Sequence, residues 1–350
     1  MAEPYVFRGS HYRDYDALNA WLARRQPEEV LEPDLPIIDP HHHLWDAKGR
    51  RYLLDELLAD ISGGHKIVKT MFMECEAFYR ASGPQEMRQV GEVEFVRGVA
   101  AMSASGKYGP TQVCAAMVGN VDLKIGARVR ATLEAEIEAG GGILRGVRNC
   151  LAWDMHEENA PYVSTKVPPK MLLDPTFREG VAQLAPLGLS FDVWMFFHQV
   201  PELTDMARAL PNTKMIINHC GGPICVGPYA GHREEYLAVW AKHMQELAKC
   251  PNVHVKLGGL GMLWFGYGFQ LGELPPTSEE CAKAWRPTIE TCIKLFGVKR
   301  TMFESNFPPD KQSCSYRTMW NAFKRITAGY SADEKAALYG GTASEVYGLK

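Results

Sequence analysis

The sequence has no run of like charges. Its 38 basic and 41 acidic residues give a net charge of −3, and charged residues make up 23% of the chain. Nucleic acids and anionic membrane surfaces are bound through clustered lysine and arginine. The charge pattern therefore gives no reason to expect either of them as a partner.

Long apolar segments are also missing. No stretch approaches the roughly 20 apolar residues that cross a bilayer, and residues 1–15 lack the apolar centre of a signal peptide. The nine cysteines are scattered, odd in number and without a C-x-x-C pair. Reduced thiols in a cytoplasmic protein are the simplest interpretation.

What the chain does have is a regular alternation of short apolar runs and amphipathic stretches. With 350 residues, 46% of them hydrophobic, it is long enough for one (β/α)8 barrel of about 250 residues with extensions. Parallel strands need helical crossovers, so this alternation predicts an α/β protein with a parallel sheet. The predicted strands are 35–40, 67–75, 112–118, 143–148, 189–198, 214–219, 253–257 and 300–303. The predicted helices between them are 85–104, 127–139, 176–187, 202–210, 234–249 and 279–296.

Eight repeats favour a closed, TIM-type barrel over an open doubly wound sheet. No G-x-G-x-x-G follows the first strand and no P-loop motif occurs, which argues against nucleotide-binding folds. We divide the chain into an N-terminal extension, residues 1–35, and a catalytic barrel, residues 36–350. A helix at 15–24 would cap the barrel or reach a partner subunit, and Ser331 with Glu334 has the spacing of a capping box that starts a last helix.

Two long segments, 149–174 and 258–277, follow the fourth and seventh predicted strands. Long loops in compact domains usually serve function or are disordered. Both would overhang the carboxyl-terminal face of the barrel, where the active sites of such barrels lie.

The strongest local signal is a set of histidines at predicted strand ends. His41 and His43 are two residues apart at the end of the first strand, so their side chains leave on the same side and can grip one divalent ion. His42 would point the other way. His198 and His219 end the fifth and sixth strands. Each histidine alone is more often a hydrogen-bonded core residue, but the four together predict a site for Zn²⁺ or a similar ion.

With its other motifs, the chain resembles the amidohydrolase superfamily, and more closely the lactonase-like branch of amidohydrolase-2 proteins. The resemblance covers about residues 36–348. It rests on the D-x-H-x-H-L-W-D start, N-H-C-G-G-P at 218–223, V-K-L-G-G-L at 255–260 and E-S-N-F-P at 304–308. That branch includes sugar-lactone and pyrone-dicarboxylate lactonases, and its relatives include metal-dependent decarboxylases. The resemblance implies a distorted (β/α)8 barrel that hydrolyses small cyclic esters.

One position departs from the family pattern. The superfamily usually places an aspartate at the end of strand eight as metal ligand and general base, and the matching residue here is Asn306. An amide cannot take up a proton near neutral pH, so a metal ion, Zn²⁺ or Mn²⁺, would be weakly held or absent and the base must lie elsewhere. Glu74, Glu304 and Asp310 are the candidates. Each has an alternative role as an ion-pair partner of Arg145, Arg148 or Lys256.

The remaining candidate site residues would bind the substrate. Arg148, after strand four, and Lys256, on strand seven, favour an anionic substrate, although Arg148 is equally well explained by a structural ion pair. Trp45, Trp153, Trp194 and Trp264 would supply an apolar wall, although Trp194, in the middle of a strand, is better explained as a core residue. The assigned roles are therefore metal binding for His41, His43 and His198, and catalysis for Glu74, His219, Glu304 and Asn306.

Three functions remain open from the sequence. The leading hypothesis is hydrolysis of a small lactone or related cyclic ester, metal-assisted or metal-free. The second is decarboxylation of an aromatic or unsaturated acid on the same barrel. The third is a binding protein that has lost its base, which the retained histidines argue against. The expected partner is an anionic small molecule, and a homo-oligomer is left open.

Overall fold

A computed structural model describes residues 11–159 and 167–349. The eight strands form one parallel sheet in chain order. They are β1 Ile37–His42, β2 Ile67–Met73, β3 Gln112–Gly119, β4 Leu144–Cys150, β5 Ser190–Trp194, β6 Met215–Ile217, β7 Val253–Leu257 and β8 Thr301–Phe303.

The sheet closes on itself after β8. The backbone N–H of Asn306 donates to His41 O at 2.9 Å, and that of His43 donates to Phe307 O at 2.8 Å. These bonds join the end of β1 to the segment that follows β8, so the chain forms a (β/α)8 barrel, as predicted. The strands were recognisable because both of their faces are covered in a barrel, which makes them short apolar runs.

Helices surround the barrel between the strands. They are α1 Tyr15–Leu22, α2 Leu54–Ile61, α3 Val90–Ala104, α4 Arg130–Gly140, α5 Pro175–Ala182, α6 Val200–Ala209, α7 Arg233–Leu247, α8 Ser278–Phe296, α9 Tyr316–Ile326, α10 Ala332–Ala336 and α11 Thr342–Tyr347. The capping box at Ser331 is present at the start of α10. Among the helices described, none is long and apolar enough to cross a membrane. All nine cysteines are free thiols.

Two helices, α2 and α9, were not predicted from the sequence. The apolar residues of α9, among them Met319, Trp320 and Phe323, do recur at helical spacing, but polar residues of the helix are buried as well. Asn321 Nδ2 donates to Glu29 O at 2.8 Å, and Lys324 Nζ donates to Leu31 O at 2.8 Å. These bonds hold the N-terminal segment, of which residues 1–10 lie outside the described part.

The barrel interior is filled at the end where the strands begin. Met71, Val118, Ile216 and Met302 pack together there with Tyr347 of α11. Long connections follow the carboxyl ends of the strands instead. The segment after β7, with Met262 and Trp264, folds over that end of the barrel, whereas residues 160–166 of the predicted loop after β4 lie outside the described residues.

The packing of α5 gives a stability prediction that uses two helix-interior glycines. A Cβ on Gly180 would overlap the carbonyl oxygen of Leu123, whereas a Cβ on Gly98 in α3 would meet nothing within 4 Å. We expect Gly98→Ala to stabilise the protein by about 0.5–1 kcal/mol through helix propensity. Gly180→Ala should destabilise it by about 1–3 kcal/mol through overpacking. Urea unfolding of both variants measures this, and a shift of both midpoints in the same direction would contradict the packing.

Candidate active site

A cavity of about 560 Å³ opens at the carboxyl ends of the strands. One side of it is aromatic, with Trp194, Phe196 and Trp264, and Met262 adds a further apolar side chain. Five polar side chains of the cavity come from the ends of β1, β2, β4, β6 and β8. They are His43, Glu74, Arg148, His219 and Asn306. The cavity therefore combines one apolar wall with one polar, charged surface.

A buried carboxylate joins three strand ends beneath this cavity. Glu304 is 0% exposed, and its Oε1 accepts a hydrogen bond from Nδ1 of His219 at 2.7 Å. Its Oε2 lies 2.5 Å from Nδ1 of His41, a contact too bent for a regular hydrogen bond. Because a carboxylate only accepts, His219 carries its proton on Nδ1 and leaves Nε2 unprotonated. The Nη1 donor of Arg148, 3.3 Å from Nε2 of His41, favours the same tautomer for His41.

The local sequence makes room for this group. Gly258 and Gly259 follow β7, where a Cβ on Gly258 would overlap Glu304 and a Cβ on Gly259 would overlap the ring of His219. Gly259 also has a φ of +71°, which an L side chain rarely adopts. The two glycines thus let Glu304 and His219 meet at the centre of the barrel.

His43 presents a further unprotonated nitrogen. Its Nδ1 donates to the carbonyl oxygen of Met73 at 2.9 Å, so its Nε2 is an acceptor. That Nε2 lies 3.2 Å from Nε2 of His41 and 3.3 Å from Oδ1 of Asn306. Burial holds the pKa of both His41 and His43 well below the usual range of histidine, which keeps the two rings neutral.

The amide of Asn306 is oriented by a second buried carboxyl group. Its Nδ2 donates to Oδ1 of Asp310 at 2.7 Å, which turns Oδ1 of Asn306 toward His43. Asp310 also accepts the backbone N–H of Gly261 at 2.9 Å, and burial raises the pKa of Asp310 well above its usual range. Asp310 is therefore a positioning group, not a base that faces the cavity.

These donor atoms fit a divalent cation. Ligand bonds of roughly 2.0–2.1 Å place two ligands of one ion about 2.9–3.4 Å apart, which matches the separations of the two Nε2 atoms and Asn306 Oδ1. His41, His219 and Glu304 also offer ligand atoms within 4.8 Å of one another. Their Nδ1–carboxylate contacts of 2.5 and 2.7 Å are too short for co-ligands, so we assign metal binding to the Nε2 side.

Arg148 lies beside this group as a competing cation. Its Nη1 is 3.3 Å from Nε2 of His41, and its Nε donates to Oε1 of Glu74 at 2.7 Å. Its Nη2 donates to the backbone oxygen of Glu74 at 2.5 Å. Asn120 donates to the other carboxylate oxygen of Glu74 at 3.2 Å. Arg148 is thus held by the protein, and Glu74 is its ion-pair partner.

Four of the predicted metal-binding, catalytic and cationic residues are not part of the cavity lining. His41 and Glu304 are buried beneath it, whereas His198 and Lys256 do not take the predicted positions. His198 follows a turn beyond β5, where its Nε2 lies 2.7 Å from Trp153 O and its ring packs near Tyr229. It is not among the residues that meet around Glu304, contrary to the expected ligand role. Lys256 is 0% exposed and bound to Asp192 Oδ2 at 3.1 Å, so it lies below the site instead of lining it.

Except for Trp153, the predicted apolar wall does line the cavity, and further side chains join it. Trp45 stacks on His43 with ring centroids 5.6 Å apart, and Trp264 is part of the lining as well. Trp194, which the sequence favoured as a core residue, contacts His219 with ring centroids 4.9 Å apart. Sequence reasoning also missed Glu76, whose position only the turn after β2 determines.

Comparisons of this chain with known proteins all point to one family. A sequence model of the amidohydrolase family matches residues 38–349. The uncharacterized protein y4mH of Sinorhizobium fredii is 32% identical over 336 residues, which cover 90% of this chain and 99% of that protein. An L-fucono-1,5-lactonase of Burkholderia ambifaria is 24% identical over 324 residues, covering 89% of this chain and 94% of that protein.

Solved structures agree with this result. A crystal structure of an amidohydrolase from Burkholderia multivorans with bound zinc is 25% identical, has a TM-score of 0.63, and is matched over 90% of this chain and 99% of that one. The 5-carboxyvanillate decarboxylase of Sphingomonas paucimobilis has a TM-score of 0.54 at 13% identity, with 90% and 100% of the two chains covered. At that identity the similarity concerns the fold alone.

The hydrogen bond between Asn306 and Asp310 yields a metal-binding prediction. In the double variant Asn306→Asp with Asp310→Asn the net charge and the hydrogen bond are kept, with donor and acceptor reversed. The negative charge then faces His43. We expect zinc affinity to rise by about 10- to 100-fold, the scale of changes in a metal's ligand surroundings, because a carboxylate attracts a cation more strongly than an amide does.

Zinc affinity is measured by competition with a chelating dye. Asp310→Asn combined with Asn212→Asp, an exposed position away from the cavity, has the same net charge as the double variant without the carboxylate beside His43, and is the control. Unchanged affinity in the double variant would show that Asn306 does not face the metal position.

Proposed function

Because this chain belongs to the amidohydrolase family, we propose that it is a hydrolase that opens a neutral, sugar-derived lactone. The observation that carries the proposal is the His219–Glu304 pair at the floor of the cavity. His219 lines the cavity while its Nδ1 is bound to Glu304, so the unprotonated Nε2 is on the opposite side of the ring. A relative named L-fucono-1,5-lactonase supports the substrate class.

In the proposed reaction, His219 Nε2 accepts a proton as a water oxygen bonds to the lactone carbonyl carbon. Glu304 stabilises the imidazolium that forms, as the buried carboxylate of a catalytic triad does. The ring C–O bond then breaks and His219 returns the proton to the leaving oxygen, which gives a hydroxy acid. Asn306 Oδ1 accepts a hydrogen bond from the water, and Arg148 Nη1 faces the developing negative charge on the carbonyl oxygen.

The residues that would hold a divalent ion are His41, His43 and Asn306. When bound there, such an ion would polarise the lactone carbonyl as a Lewis acid. Arg148 and the ion would both stabilise the negative charge that develops on the carbonyl oxygen. The proposal therefore covers hydrolysis with or without metal.

The charges of the cavity support a neutral substrate in place of the anionic one expected from the sequence. Arg148 already binds Glu74 through Nε and Nη2, so the charge of that carboxylate offsets its own. The other charged side chains of the lining are Asp46, Arg50 and Glu76, so carboxylates outnumber arginines. A sugar lactone suits this cavity because its ring face can pack on tryptophan while its hydroxyl groups meet polar side chains.

The proposal is tested by acid release from a panel of lactones in weak buffer, with the spontaneous rate subtracted. We expect L-fucono-1,5-lactone or another neutral aldono-1,5-lactone to be hydrolysed at least tenfold faster than dianionic 2-pyrone-4,6-dicarboxylate. His219→Asn should abolish the activity, whereas His232→Asn, an exposed control, should retain it. Release of CO2 from an aromatic acid, with no lactone turned over, would favour the decarboxylase instead.

The role of Arg148 gives a kinetic prediction. We expect Arg148→Met to lower kcat by about 100-fold, the scale for losing one donor to a developing oxyanion, with KM changed little. Steady-state kinetics on the best neutral lactone measure both constants. A large rise in KM with kcat intact would mean that Arg148 binds the substrate's ground state.

A further inference from the structure

The turn after β2 supplies a continuous part of the cavity wall. All five residues 74–78 line the cavity. Glu76 and Phe78 have φ values of +59° and +56°, a conformation that is uncommon for residues with a side chain. A backbone of this kind persists only where the surrounding structure holds it, and such positions cluster at functional sites.

Helix α3 holds this turn from outside the barrel. Oε1 of Glu92, a side chain 1% exposed, accepts the backbone N–H of Cys75 at 3.1 Å and that of Ala77 at 2.9 Å. The two bonds flank Glu76. Gly91 lets the turn approach the helix, because a Cβ there would lie 2.6 Å from the backbone oxygen of Phe78.

The side chain that this turn presents is a carboxylate without a partner. Within the described parts of the chain, no hydrogen bond or ion pair reaches Glu76. The side chain of Glu76 is exposed, and it also lines a second cavity of about 170 Å³ beside the ends of β3 and β4. It stands where the two cavities adjoin, so a molecule that extends from the histidines toward the second cavity passes this carboxylate.

On the basis of the proposed lactone substrate, we propose that Glu76 is a specificity-determining residue that binds neighbouring hydroxyl groups of the sugar ring, and that Glu92 is its positioning residue. A carboxylate offers two acceptor oxygens, which suits two adjacent hydroxyl donors. Such bonds to a charged acceptor are among the stronger ones. Glu76 lies on the turn that also carries Glu74, the partner of Arg148. Its carboxylate would therefore bind the substrate close to the reacting groups.

The test compares a polyhydroxylated 1,5-lactone with δ-valerolactone, which has the same ring and no hydroxyl groups. We expect Glu76→Ala to lower kcat/KM for the hydroxylated lactone by about 10- to 100-fold and to leave δ-valerolactone unchanged. Glu86→Ala, an exposed residue in the same connection, is the matched control. Glu92→Ala should give the same selective loss, and Glu92→Gln should restore most of it because an amide oxygen still accepts both backbone N–H groups.

An equal loss on both lactones, or no loss on either, would overturn the assignment of Glu76 while the hydrolase itself stands. Binding of a polyhydroxylated 1,5-lactam, measured by calorimetry, does not depend on turnover. We expect Glu76→Ala to weaken it at least tenfold, and unchanged affinity would overturn the inference even if no lactone is hydrolysed. If the native protein hydrolyses no lactone but binds the lactam, and Glu76→Ala weakens that binding, then only the proposed reaction would be wrong.

Discussion

Burial of the Glu304 carboxylate is the constraint from which the rest of the site follows. An ionised group removed from water is costly unless hydrogen bonds replace its hydration. Here the ring and the backbone N–H of His219 both donate to Oε1, and the ring of His41 lies against Oε2. This requires the ends of β1, β6 and β8 to meet at one depth. It also requires the chain after β7 to pass close by, which Gly258 and Gly259 permit.

A second buried pair supports this group from below. Lys256 binds Asp192 at 3.1 Å and the carbonyl oxygen of Pro40 at 2.9 Å, next to His41. Buried ion pairs are weak contributors to stability but leave a costly charge when one partner is lost. Burial, and after it the charge of Lys256, lowers the pKa of His41. The pair thus helps to keep that imidazole neutral, as a ligand must be.

The sequence predicted the strands and the meeting of His41, His43 and His219. Residues two apart in a strand point to the same side, and the carboxyl ends of parallel strands lie at the same end of the barrel. It did not determine how deep a side chain lies along the barrel axis, so Lys256 was expected to bind the substrate although it is buried below the site. The run that suggested a strand to His198 ends at Trp194, and the turn Phe197–Gln199 carries His198 toward Trp153. The pairing of Arg148 with Glu74 joins residues 74 apart, which no local pattern reveals.

The charges around the floor of the cavity explain how a neutral amide at position 306 is compatible with catalysis. Around the histidines, the buried carboxyl groups Asp39, Glu74, Asp192 and Glu304 outnumber the cations Arg148 and Lys256. In the proposed reaction, a proton gained by His219 would offset part of this negative charge, so the arrangement favours the imidazolium of the transition state over the resting site. An aspartate at 306 would add a further negative charge, which suits a firmly bound divalent ion, whereas Asn306 adds none.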